Sequence, residues 1–225
     1  MQKLDLAKLH KDYFSAKTNP GIVEIGPAVF LSLAGQGDPS GKAFTQAIQA
    51  LYATAYTIKF ECKSMGNSPD RAPGNSNKEP SAPRDFVVSK LQGQWWFDEK
   101  KFGGFSFSEA PLKVPRDQWE YRLLIRVPEF VTNEMTEDAI DSVISKKHIQ
   151  EAGKVQLFSM TEGKCVQMLH VGPFPEEPRT LQRISDFMTE RNMVRNGLHH
   201  EIYLSDFRKT PPEKLRTILR EPFQI

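Results

Sequence analysis

One short segment concentrates the polar chemistry of this chain: His199-His200-Glu201-Ile202-Tyr203-Leu204-Ser205-Asp206. Side chains of an extended strand alternate between its two faces. His199, Glu201, Tyr203 and Ser205 therefore share one face, and Ile202 and Leu204 share the other, read here as the helix-packing side. A carboxylate on a partly buried sheet face needs a partner or a raised pKa, and such a group can bind a cation or act as a general base. The alternative is an outer-face Glu in water beside an amphipathic Tyr. A second signal is aromatic. Tyr52 and Tyr56 stand four residues apart in an expected helix, and Trp95 and Trp96 are two of the three tryptophans in the chain. Aromatic faces attract planar or cationic ligands, although the same stripe also suits ordinary core. His199 and His200 are adjacent, so they face opposite ways and do not serve one metal. The chain lacks a Gly-rich phosphate loop, a GxSxG elbow and a CxxC pair. No metal and no cofactor are expected.

The elements that must position these residues occur twice. Glu24-Ile25-Gly26-Pro27-Ala28-Val29-Phe30-Leu31-Ser32-Leu33-Ala34-Gly35 reads against Thr161-Glu162-Gly163-Lys164-Cys165-Val166-Gln167-Met168-Leu169-His170-Val171-Gly172. Tyr121–Pro128 reads against Leu215–Pro222, in the same order. Matched stretches in matched order argue for a duplicated unit; the alternative is chance similarity between short apolar strands. The first unit spans about 20–132 and the second about 153–225. Each reads strand, helix, strand, strand: an α+β architecture of antiparallel sheets with helices on one face. The paired units would flank a central ligand cleft. The expected strands are Ile22 to Ala34, bent at Gly26-Pro27 because Pro donates no ladder bond, then Phe86 to Phe97 and Trp119 to Val127. Val155 to Val171 holds a strand, or a hairpin turning near Glu162-Gly163. Leu198 to Leu204 and Lys214 to Arg220 complete the set. Helices are expected over Asp5 to Phe14, over Lys42 to about Phe60 with Ser40 as N-cap, over Thr136 to Lys147, and over Glu177 to Met193. Ser64 to Arg84 is rich in Pro, Ser, Asn and Gly with one large apolar residue, Met65, and reads as a flexible insertion. Phenylalanines 102, 105 and 107 anchor the long loop that follows, or form a flap.

Composition narrows the function classes. The 225 residues are 39% hydrophobic and 26% charged, with net charge +2, which are globular values. Acidic and basic residues are interspersed, so no nucleic-acid partner is expected. No apolar run approaches a membrane span, and the polar start is unlike a secretory signal. Cys62 and Cys165 have neither metal-ligand nor disulfide-framework spacing. A cytoplasmic location is expected, and the oligomeric state stays open.

Several segments together resemble the stand-alone GyrI-like small-molecule-binding family. They are Leu51-Tyr52 with Ala55–Lys59, the Gly93…Trp95-Trp96 strand, Arg126–Thr132, Cys165–Pro173, and Glu201–Thr210. The resemblance covers nearly the whole chain as a single domain, apart from the 64–84 insertion. It implies two strand-helix-strand-strand units around a ligand cleft, with a hydrophobic aromatic small molecule as partner. Some relatives bind hydrophobic or cationic drugs, and stand-alone members are similar to hydrolases that open cyclopropane rings of DNA-alkylating compounds. The family's acidic cleft residue maps onto Glu201 and its tyrosine onto Tyr203, the catalytic candidates. The aromatic lining maps onto Tyr56 and onto Trp95 or Trp96. Tyr52 joins these as a ligand-binding candidate, as do Met168 and His170 of the VQM-x-H segment; His170 also aligns with Leu33, as a packing residue would. Members often carry Glu where this chain has Gln92, which would weaken cation recognition. Three readings follow: a metal-free cyclopropane hydrolase with Glu201 activating water, a binding-only module that sequesters or senses drugs, and a protein-interaction module of the gyrase-inhibitor kind.

Overall fold

Several strand segments bury successive residues rather than every second one. Leu123, Leu124 and Ile125 are all inaccessible, as are Ile218, Leu219 and Arg220. A strand buried on both faces must be covered on both. The computed structural model, which describes residues 3–66 and 85–225, provides that cover by closing the sheet. In chain order the elements are α1 (Leu6–Leu9), α2 (Lys11–Phe14), β1 (Gly21–Gln36), α3 (Lys42–Gly66), β2 (Leu91–Trp96), α4 (Glu99–Phe102), α5 (Ala110–Lys113), β3 (Glu120–Val127), α6 (Asn133–Lys147), β4 (Gln156–Val171), α7 (Glu177–Thr189), β5 (Val194–Arg195), β6 (His199–Tyr203) and β7 (Arg216–Gln224). The strands run in the order β4-β1-β3-β2-β6-β7, and β7 pairs back onto β4. These pairings are antiparallel. The result is a closed six-stranded barrel, with β5 added beside β7. Two separate sheets around a cleft were expected. The pairings β1–β4 and β2–β6 fuse them instead into one continuous sheet.

Closure gives every strand an inner and an outer face. Phe30, Leu124, Cys165, Leu169, Ile202 and Ile218, from five strands, meet inside the barrel with Tyr13 and Phe14 of α2. Leu31, Leu123 and Ile125 point outward beneath α3, with α6 joining the same cluster through Ala139 and Val143. Val166, Met168 and Leu219 point outward beneath Leu181 and Ile184 of α7. Ile202, expected to pack on a helix of its unit, thus points inward, toward the barrel and its α2 plug. Glu201 and Tyr203 occupy the face that the long helices cover.

The alternation changes parity once in β1 and once in β4. Ile25 and then Ala28 and Phe30 face inward in β1; Phe158 and Met160 and then Cys165 and Leu169 do so in β4. The change falls at Gly26-Pro27 in β1 and at Glu162-Gly163 in β4, where the Gly163 φ of 69° favours glycine. The two features lie opposite each other, since Ile25 pairs with Gly163 and Pro27 with Thr161. The pairing register is unchanged across this point, so the two strands kink together and re-aim their side chains together. Glu162-Gly163 is therefore a kink within one continuous strand, not the turn of a hairpin.

Several other expected boundaries move. Helix α3 runs on to Gly66, so Ser64 is helical, its Oγ donating to the Phe60 carbonyl at 3.0 Å; residues 67–84 of the expected insertion lie outside the described residues. Ser40 Oγ accepts from Arg116 Nη2 at 2.9 Å, while Asp38 Oδ1 accepts the Ser40 N–H at 2.8 Å. Helix α6 begins earlier than expected, capped by Thr132 Oγ1, which accepts the Met135 N–H at 3.2 Å.

Candidate functional site

The outer face of the barrel between α3 and α7 gathers the chain's polar chemistry. Gly93 of β2 pairs with Glu201 of β6. A side chain at Gly93 would lie 2.8 Å from Trp95 Nε1 and 2.9 Å from Tyr203 Oη. The bare glycine lets Trp95 Nε1–H donate to Tyr203 Oη across it, at 3.1 Å. The Glu201 carboxylate lies close enough to the Tyr203 hydroxyl to act on it electrostatically. Burial first, and then the Glu201 charge, push the phenol well above its ordinary pKa. Tyr203 is 6% exposed and packs edge-on to Phe174 and Phe207, with centroids 6.0 and 5.8 Å away.

His199 links this pair to a second carboxylate. Its Nε2 lies 3.2 Å from Glu201 Oε1, and its Nδ1 contacts Glu221 Oε1. Arg195 Nε donates to the other Glu221 oxygen at 3.0 Å. Burial alone would lower the His199 pKa, but Glu221 and Glu201 overcome this and raise it to about 10. The folded value exceeds the unfolded value of about 6.5. The stabilisation is therefore complete below about pH 6.5 and is lost as pH rises through about 10. We expect the His199 ring to remain protonated at pH 8 when its nitrogens are followed by NMR. A midpoint near pH 6.5 would show that the carboxylates do not clamp it.

Glu177, at the start of α7, completes the cluster. It is 7% exposed, and its Oε1 has no hydrogen-bond partner. Burial and then the charge of Glu201 push its carboxyl well above the usual range, against the pull of His199. Beside the cluster lies a cavity of about 340 Å³. Trp95, Trp96, Trp119 and Phe107 form its aromatic walls, with Leu181 of α7; His199 and Arg195 form its polar end. Aromatic walls of this volume, with Glu99, Arg195 and His199 among them, suit a planar organic ligand that also carries polar groups. Among the described residues, no group of three or more His, Cys, Asp or Glu side chains is arranged to hold a metal ion.

A model of the GyrI-like small molecule binding domain matches residues 18–222. The chain belongs to this family. Two Listeria innocua crystal structures, one described as a hydrolase and one as an uncharacterized conserved protein, are similar at 37% identity over 99% of this chain and 100% of theirs, with TM-scores of 0.78 and 0.80. The EcmrR C-terminal domain is 11% identical over 92% of this chain and 97% of its own, and its TM-score of 0.52 reports a shared fold alone. No curated protein matches the chain. No helix among the described residues is long and apolar enough to cross a membrane.

In this GyrI-like chain the residues singled out from sequence separate into groups. Glu201, Tyr203 and Trp95 come together. Trp95 faces the helix-covered side, stacking on Phe44 at 5.7 Å, whereas Trp96 ends its strand with Arg122 5.8 Å from its ring. Tyr52, Tyr56 and Phe60 stack in series along α3, at 6.3 and 6.2 Å. Tyr56 is 43% exposed, and the Arg208 guanidinium lies 5.8 Å from the Tyr52 ring. Met168 is core beneath α7. His170 Nδ1 lies 2.9 Å from Thr180 Oγ1, and its Nε2 lies 3.3 Å from the Pro173 carbonyl. These contacts tie β4 to α7 at a separate, shallow depression; of the candidates read from sequence, Trp95 and Trp96 line the 340 Å³ cavity, whereas Glu201, Tyr203, Tyr52, Tyr56, Met168 and His170 do not. Gln92 points into the barrel, where its Oε1 accepts the Tyr13 hydroxyl at 2.5 Å. Its substitution for Glu therefore bears on the α2 plug rather than on this face. Glu177, Glu221, Trp119, Phe174 and Phe207 were not singled out from sequence. Only the placement of Glu221 within the matched Arg220-Glu221-Pro222 segment offered a signal.

Proposed function

We propose that this chain binds a planar, largely apolar small molecule on the outer face between α3 and α7, and that it hydrolyses electrophilic cyclopropane rings of genotoxic compounds there. The reading is supported chiefly by one observation: Trp95 donates to Tyr203 and His199 contacts Glu201, and Trp95 and His199 both line an aromatic-walled cavity. The description of a 37% identical relative as a hydrolase agrees with it. The two halves, about 20–132 and 153–225, are proposed as copies of one unit with this site between them. Tyr52 and Tyr56 are proposed as further ligand contacts along α3, outside the 340 Å³ cavity.

In the proposed reaction the ligand lies against the aromatic walls, which exclude bulk water. Glu201 accepts a proton from one water while the water oxygen bonds to the cyclopropane carbon. The ring C–C bond breaks, its electron pair passes into the conjugated system, and a conjugated carbonyl oxygen receives a proton from solvent. Tyr203 holds Glu201 and the water in line. Ring opening restores aromaticity in the ligand, so general-base help of roughly 10²- to 10⁴-fold suffices. The test is mass spectrometry of products from a panel of cyclopropane-bearing alkylators. Water-added products that appear only with the active protein support hydrolysis. Saturable binding without product favours the second reading, sequestration without chemistry. That reading draws support from Phe174 and Phe207, which pack over Tyr203.

The tryptophans differ in expected weight. Trp95→Phe keeps a ring but removes the donor to Tyr203, and should weaken ligand binding by about 0.5–1.5 kcal/mol. Trp96→Phe should change it less, and equal losses measured by fluorescence titration would contradict the assignment of Trp95 to the cleft.

A further inference from the structure

We propose that Arg195 recognises a carboxylate carried by the planar ligand, so that the cavity selects aromatic acids. The proposal rests on reading this cavity as the ligand site, but not on hydrolysis. Arg195 and His199 both line the cavity. The carboxylates that hold them, Glu221 and Glu201, are not part of the lining. Glu99, the acidic residue of the lining, is exposed to solvent at the start of α4, beside Lys100 and Lys101. Exposed charges are screened by water and salt, and partly buried ones much less. The polar end of the cavity therefore presents its positive groups to a ligand and keeps its buried negative groups behind them.

Arg195 is held in place from several sides. Its backbone pairs with Phe223 of β7, and the next residue, Asn196, donates its N–H to the Pro222 carbonyl at 2.8 Å. Its Nε is committed to Glu221 Oε2 at 3.0 Å, and Glu221 is wholly buried. Its guanidinium lies over the Phe107 ring, 4.9 Å from the centroid, a cation–π contact that fixes the plane of the group. A guanidinium carries five N–H donors in a rigid fork. Among the described residues, Nε is the Arg195 nitrogen with a hydrogen bond in the protein, and Nη1 and Nη2 make none. A carboxylate set end-on against Nη1 and Nη2 would accept two parallel bonds, with its aromatic body against Trp95, Trp96 and Trp119. A primary amide of the same shape replaces one acceptor oxygen with an NH2, which would turn donors toward a donor. An organic cation would meet like charges on Arg195 and on the His199 ring.

Calorimetric titration at pH 7 with three probes of one shape tests the proposal: 2-naphthoate, 2-naphthamide and 2-naphthylmethylammonium. Wild type should bind the acid about tenfold more tightly than the amide, the order of one charge-assisted hydrogen bond, and the ammonium least. Arg195→Met keeps an apolar stem and should lose the preference for the acid while binding the amide as wild type does. Arg195→Lys keeps a positive charge beside Glu221 but has no fork, and should lose most of the preference too; it decides the matter if Arg195→Met does not fold. No preference in wild type, or a wild-type preference in the variants, would overturn the proposal. Preferred binding of the ammonium would overturn it as well, and would assign selectivity to Glu99 and the rings. Binding of the amide without preference for the acid removes Arg195 alone, whereas binding of none of the three removes the cavity reading with it. No arm needs turnover, so failure of the cyclopropane assay would remove the hydrolase reading while leaving Arg195 to be judged separately.

Discussion

Replacing Arg220 with Met should destabilise the protein by about 3–5 kcal/mol, the usual result of stripping one partner from a buried ion pair. At this chain length, that lowers Tm on the order of 10 °C. Arg220 is fully buried inside the barrel. It donates to Glu162 Oε2 at 2.8 Å, to Gln167 Oε1 at 3.1 and 2.9 Å, and to the Tyr13 carbonyl at 2.7 Å. One side chain thus joins β7, both arms of the kinked β4 and the α2 plug. Without it, Glu162 would remain buried with His200 Nδ1, 2.8 Å away, as its surviving hydrogen-bond partner. Adding Glu162→Gln should restore part of the loss, because no bare carboxylate then remains. Chemical denaturation of the single and double variants checks both statements, and a single-variant loss below about 1 kcal/mol would show that water reaches the barrel interior. The same contacts predict acid sensitivity. Burial alone would raise the Glu162 pKa, but His200 and Arg220 hold it at about 2. The folded value lies below the unfolded value of about 4.3. This stabilisation is therefore complete above the unfolded value and is lost as pH falls toward 2.

Glu201→Gln should keep the fold and reduce cyclopropane hydrolysis by roughly 10²- to 10⁴-fold. Glutamine matches glutamate in shape and still meets His199 and Tyr203, but it accepts no proton near neutral pH. Binding of a neutral planar ligand should survive, because the aromatic walls are unchanged. Tyr203→Phe should cost less, since it removes a positioning contact and leaves the carboxylate. Single-turnover rates beside binding isotherms separate the two effects. Wild-type turnover by Glu201→Gln would exclude Glu201 as the base and put sequestration ahead. Loss of binding together with rate would instead identify Glu201 as a counter-charge for the ligand.

Local order was legible in the residues themselves. Period-two alternation put Glu201 and Tyr203 on one face, and the kink at Gly26-Pro27 followed from proline's missing donor. Helical spacing placed Tyr52 and Tyr56 together on α3. These are properties of a strand or helix taken alone, and they survive whatever packs around it. Which face of β6 met the long helices was not such a property: Ile202 and Tyr203 are both hydrophobic enough for either side, and barrel closure decided between them. Closure itself depends on β1–β4 and β2–β6 pairings between residues more than a hundred positions apart, and no periodicity encodes them. Nothing in the local spacing sets Arg220 in a strand, or Glu177 in the first turn of a helix, apart from a surface charge. Burial gave each a different chemistry: Arg220 was surrounded by acceptors, and Glu177 was left without a cation. Residue spacing determined which groups can act together, whereas the tertiary structure decided which of them are removed from water, and removal from water sets their charge.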